Sequence, residues 1–280
     1  PLYVNMYESQ DRESEFMSNY YMWLMQGDKK TSSGSLIIDQ RIRFYFYRQV
    51  HTSTNEINPL ACDWLFDDVQ NPQIPPAHYA DVDPDLPFCR VGWGYVGRDH
   101  LNGMALLPNF HLRTLYGLYP AGGRFDDSSY KSLEETWPPH PDGGGINPIL
   151  LCSFIDFMRA EAALTLGTND DARTLLESGM RKSIEKVIET KEWVPEHMNY
   201  YWVNPNGFGF STEDAFVPKQ DEIDMYVELV LAAYDEAPSD GLKLDIIMKE
   251  YLIALWGNGI EAYNNYRRTC MPLNMQPAIY

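Results

Sequence analysis

The chain has 280 residues and a formal net charge of −18, with 44% hydrophobic and 14% aromatic residues. That apolar content fits a globular protein rather than a disordered one. The acidic balance argues against nucleic acid, which calls for local excess of Lys and Arg, and against general adhesion to anionic membranes.

Taken in chain order, the first expected helix covers roughly residues 11–26 and stops at Gly27-Asp28. "DQRIRFYFYRQV", residues 39–50, reads as extended or irregular. Residues 55–147 are dense in turns such as "NPQIPP", "DVDPDLP", "YPAGG" and "WPPHPDGGG". Proline and glycine at that density forbid long helices, and irregular stretches of such length often carry function. An almost wholly apolar helix is expected from Pro148 to Leu166, with proline in its first turn and Gly167 at its end. Asn169 is the expected cap of the next helix, in which Ala172, Leu175, Leu176, Met180, Ile184, Val187 and Ile188 line one face. The short join makes the two helices a hairpin.

A second pair follows: Ile223, Val227, Val230, Leu231 and Tyr234 on one helix, then Ile246, Ile247, Tyr251, Leu252 and Leu255 on another that Ser239 or Asp240 begins. The expected fold is mostly α, with tetratricopeptide-like hairpins in an α-α superhelix and long, aromatic-rich inserts. Residues 1–147 form the loop-rich, ligand-facing part. Residues 148–280 form the repeat part, interrupted by an insert at 190–218. At the end, Gly257 and Gly259 let the chain turn into a short helix. Glu261 suits its first turn, and Arg267 and Arg268 suit its last. That arrangement reads as structural joinery, the alternative being an anion site built by both arginines.

Few motifs carry chemistry outright. Cys62, Cys89, Cys152 and Cys270 form no C-x-x-C pair, and Cys152 reads as a packing residue. Asp81, Asp83 and Asp85 imitate the start of a calcium loop but lack its glycine and closing glutamate, so calcium is a weak candidate beside an exposed acidic turn. The histidines are not at metal-ligand spacing, and His100 and His111 read as loop hydrogen-bond partners. Asp126-Asp127 and Glu134-Glu135 could suit a glycoside hydrolase only if one carboxyl were held protonated at the right separation. The inserts carry aromatics suited to stacking on the C–H face of a sugar. The candidate ligand-binding residues are Trp64, Trp93, Tyr95, Tyr200, Tyr201 and Trp202. Packing is the competing reading for each. No cofactor is implied.

"FMRAEAALTLG" followed by "ARTLLESGMRKSI" resembles the helical core of the SusD/RagB-like nutrient-binding lipoproteins of Bacteroidota. "KEYLIALWGNGIEAYNNYRRTCMP" is similar to that family's closing helix, and "DQRIRFYFYRQ" and "YGLYPAGGRFDD" to segments of one of its branches. The order of the motifs makes the resemblance specific. "RDHLNG" departs from the usual glycine-rich form of its loop. The resemblance implies a non-catalytic protein, lipid-anchored on the extracellular face of the outer membrane. It would bind an oligosaccharide or other nutrient and deliver it to a SusC-like TonB-dependent transporter. It also implies that this chain is an internal and C-terminal portion of a single, longer SusD-like domain. A glycan-acting hydrolase and a protein-binding repeat scaffold are the alternatives.

Overall fold

Among the described residues, four helices start on a single side-chain oxygen, that of Ser18, Asp171, Ser239 or Asn258. The computed structural model describes residues 16–31, 33–51, 94–98, 100, 113–130, 143–193 and 217–278. Helix α1 spans Asn19–Gln26, and Ser18 Oγ accepts from the Tyr21 N–H at 3.3 Å. The cap starts this helix later than the apolar pattern suggested, and Gly27 ends it as expected. "DQRIRFYFYRQV" is more ordered than its aromatic run implied. It holds a one-turn helix α2, Ile42–Tyr45, and a short strand β1, Phe46–Tyr47. Strand β2, Leu115–Tyr116, pairs antiparallel with β1, placing Phe46 opposite Tyr116. The chain after β2 then folds back on α2: the Tyr119 N–H donates to Phe44 O at 2.9 Å. A Cβ on Gly117 would lie 2.2 Å from Phe44 O, so only glycine permits this approach.

Helix α3, Cys152–Leu166, starts four residues later than expected, after Leu151. Asn258 Nδ2 donates to the carbonyls of Pro148 and Ile149, at 3.1 Å each, which occupies acceptors that a longer helix would use. As a result Cys152 is the first helical residue and is exposed, not packed. Gly167 ends α3 in the left-handed region, φ 65°. Helix α4, Ala172–Ile188, is capped by Asp171 rather than Asn169, with Asp171 Oδ1 accepting from the Thr174 N–H at 2.6 Å. The chain continues as a 3-10 turn, Glu189–Trp193. Helix α5, Gln220–Glu236, and helix α6, Asp240–Ala254, form the second hairpin, and Ser239 Oγ caps α6 by accepting from the Leu242 N–H at 3.3 Å. Helix α7, Gly259–Thr269, closes the array. The architecture is mostly helical, as its sequence periods imply.

Burial divides into two clusters. One gathers α1, α2, β1, β2 and residues 118–125, with Val187 and Ile253 reaching in from the hairpins. The other gathers the facing stripes of α3, α4, α5 and α6, where Phe157 stacks on Tyr251 at 5.3 Å. Ile188 touches both. A buried ionic network also joins them. Arg41, between α1 and α2, donates to Asp39 Oδ2 at 2.5 Å, to Ser183 of α4 at 2.9 Å and to Glu250 of α6 at 3.2 Å. Lys29 pairs with Glu250 at 3.0 Å, and the Tyr226 hydroxyl of α5 donates to the same carboxylate at 2.9 Å. Two cations thus face two anions, and Ser183 of α4 and Tyr226 of α5 add hydrogen bonds to them, which makes burial of the charges tolerable.

Candidate functional site

The described residues that flank the inserts gather on the first cluster. His51 meets the Tyr130 ring edge-on at 5.1 Å. Thr114 and Val96 exchange two hydrogen bonds, N–H to Val96 O at 2.9 Å and Val96 N–H to Thr114 Oγ1 at 2.7 Å. Trp193 stacks on Tyr119 at 6.5 Å, and Ile146 and Val217 pack on the same group. Chain segments far apart in sequence therefore enter and leave the inserts beside one another.

At the centre lies a row of rings. Trp256, just past α6, is near-parallel to Tyr45 at 5.8 Å and 18°. Tyr45 is stacked on Tyr119 at 5.4 Å, and Tyr119 on Trp193. Offset stacks of this kind each contribute roughly 0.5–1.5 kcal/mol beyond the area they bury. The two inner tyrosines are sealed, whereas Trp256 and Trp193 are half-buried. Tyr21, Phe46 and the half-buried Tyr116 surround Trp256 at 4.8, 4.7 and 5.6 Å. Sequence reasoning passed over Trp193 and Trp256. The available signal was position, since each stands just past the last turn of a long helix.

The expectation of an open ring at Tyr95 is corrected. Tyr95 is 4% exposed, because Arg48 lies over its ring at 4.9 Å and Phe46 meets it edge-on at 6.4 Å. Burial pushes its hydroxyl pKa well up, so it stays protonated. Trp64, Trp93, Tyr200, Tyr201 and Trp202 lie outside the described residues, as do Asp81, Asp83, Asp85, His111 and Glu134-Glu135. Among the described residues no group of three or more His, Cys, Asp or Glu could hold a metal ion. None of their helices is long and apolar enough to cross a membrane.

Asp126 is buried, and its carboxylate is occupied. Arg48 Nε donates to Oδ2 at 2.5 Å, Arg48 Nη2 to Oδ1 at 3.2 Å, and the Ser128 N–H to Oδ1 at 3.0 Å. Asp127 Oδ1 accepts from the Ser129 N–H at 2.9 Å. Both carboxylates hold loop structure together. His100 bridges Ser18 Oγ and Gln276 O at 3.1 Å each, as a loop hydrogen-bond partner. The charge placement on α7 is as expected, with Glu261 in the first turn and Arg267 and Arg268 in the last. Arg268 grips Glu161 of α3 through both guanidinium ends, and its Nη2 also donates to Asn265 Oδ1 at 2.8 Å. Arg267 lies over Tyr263 at 5.5 Å. Arg268 therefore works as joinery between α7 and α3, while the contact of Arg267 stays within α7.

Residues 148–279, the hairpins and the closing helix, match the family model SusD-like, SusD and RagB outer membrane lipoprotein. Over that span the chain is similar to that family. A solved structure described as "Bacteroidetes AC2a SusD-like" is 22% identical over 46% of this chain, with a TM-score of 0.33. The chain spans 20% of the length of that structure's chain. No curated protein matches it.

Proposed function

We propose that this SusD-like chain belongs to a non-catalytic nutrient-binding lipoprotein. It captures glycans or related nutrients on the extracellular face of the outer membrane and passes them to a SusC-like TonB-dependent transporter. The match of residues 148–279 to the family carries the reading. What favours a glycan is the aromatic content of the inserts and their flanking residues, because a ring offers a flat apolar surface to the C–H face of a sugar. In this proposal Trp64, Trp93, Tyr200, Tyr201 and Trp202 contact the ligand.

Calorimetry and product analysis with a panel of neutral oligosaccharides test the proposal. Saturable binding with no cleavage product is the expected result. Release of shortened sugars would replace it with the hydrolase reading. Silence with every sugar would leave a protein-binding scaffold.

A further inference from the structure

Among the described residues, Arg98 carries a buried charge to which no ion pair is assigned. Arg98 is 8% exposed, and its Nη1 is sealed with no hydrogen-bond partner. No Asp or Glu among the described residues pairs with it, although Lys29, Arg41 and Arg48 all have carboxylates. Burial alone acts on its ionisation, pushing the pKa down with no neighbouring anion to offset it. An arginine still stays protonated at physiological pH, so the charge cannot be shed. A buried, unpaired cation is costly and calls for an anion.

The surroundings are built to hold this side chain still. Arg98 N–H donates to Met17 O and Arg98 O accepts from the Asn19 N–H, both at 2.9 Å. A Cβ on Gly97 would lie 2.5 Å from Met17 O, so the chain is pressed closely against that segment. Phe16 lies under the guanidinium, with Arg98 Cζ 3.7 Å from the ring centroid, and Arg113 Cζ stands 5.3 Å from the same centroid. Stacking occupies the flat face of the Arg98 group and leaves its in-plane N–H fork, which matches the two oxygens of a carboxylate.

We propose that Arg98, backed by Phe16, receives the carboxylate of an acidic saccharide such as a uronic acid. The idea rests on the nutrient-binding reading and narrows it to a ligand class. Arg98 belongs to "RDHLNG", the loop that departs from the family's glycine-rich form.

The test is titration of the 280-residue chain with galacturonate, galactose and acetate at fixed ionic strength, read by calorimetry and thermal unfolding. Galacturonate and acetate should bind and raise the Tm, with galactose weaker than galacturonate. Arg98→Met should weaken galacturonate by about ten- to a hundredfold, as expected for lost charge-assisted hydrogen bonds. Without ligand it should unfold at a higher temperature than the parent, because an unpaired buried charge has gone. Arg98→Lys, which keeps the charge and loses the fork, should fall between the two and serves if the Met variant does not fold. Equal affinity for galacturonate and galactose in the parent overturns the carboxylate site and leaves the nutrient reading intact. Acetate stabilising the parent but not Arg98→Met, with galacturonate and galactose both silent, leaves an anion at Arg98 but overturns the saccharide as its ligand, and the nutrient reading with it. Indifference of the parent to both anions overturns the proposal.

Discussion

The two buried clusters are held together by different chemistry. In the hairpins the backbone satisfies itself, so their interior is free to be mostly aliphatic: Leu175, Leu176, Ile184, Val227, Val230 and Ile247. The first cluster has little regular structure, and side chains must do what helices do elsewhere. The Tyr21 hydroxyl reaches the carbonyls of Leu252 and Ile253 at 2.5 and 2.8 Å, and the Tyr45 hydroxyl donates to Ile253 O at 3.0 Å. Gln49 Nε2 donates to Arg113 O at 2.7 Å, and Arg43 Nη1 to Asp126 O at 2.9 Å. The tyrosines and arginines there are apolar bodies with polar tips. They fill volume and answer backbone groups at once. A segment can therefore forgo regular hydrogen bonding and remain buried, provided that its side chains are of this dual kind.

The largest expected effect comes from the point where the two regions join. Arg41→Met removes one cation and leaves Asp39 and Glu250 facing Lys29 alone. Removing one partner of a buried ion pair typically costs about 3–5 kcal/mol. Urea denaturation should show that loss, and it should loosen the first region more than the hairpins. A cost under about 1 kcal/mol, the range of an exposed pair, would mean that the network does not couple them.

Acid should act in the same place with a smaller effect. Burial alone would raise the Asp39 pKa, but the charge and hydrogen bonds of Arg41, with help from Lys29, outweigh it and hold the carboxyl below its ordinary range. A depressed folded pKa gives stability that is complete above the unfolded value of about 4 and is lost as pH falls through the folded value. The urea midpoint should therefore drop below about pH 4 in the parent and less steeply in Arg41→Met. Parallel pH profiles for the two proteins would remove Asp39 from the account.

The smallest expected effect sharpens the comparison by staying within one region. Asp171→Ala deletes the cap of α4 and should cost about 1 kcal/mol. Near-UV circular dichroism from the rings of the first cluster should not change. A change there would show that the regions are more tightly linked than the Arg41 network alone provides.

The hairpins were legible because helical period and apolar stripes are local properties. Errors there were boundary errors with identifiable causes. Asp171 displaced Asn169 as the cap, and Asn258, more than ninety positions downstream of Cys152, set where α3 begins. The first cluster was hidden for the same reason in stronger form. Tyr21 and Leu252 meet across 231 positions, and no local pattern announces such a contact. Tyr95 shows how this misleads a reading of candidate sites. Its glycine-rich neighbourhood suggested exposure, but Arg48 and Phe46 arrive from another segment and cover it. Glu261, Arg267 and Arg268 were readable because helix dipoles favour those charges at those ends.

Asn258 has a further consequence. Its Oδ1 starts α7 by accepting from the Glu261 N–H at 3.2 Å, while its amide nitrogen holds the two carbonyls ahead of α3. One side chain is thus a shared hinge-pin for two helices that the sequence keeps far apart. Excising the closing helix would also release the entrance of the first hairpin and free α3 to lengthen backward toward Pro148. The natural unit of this scaffold is therefore the whole span through α7, and no shorter piece keeps its edges.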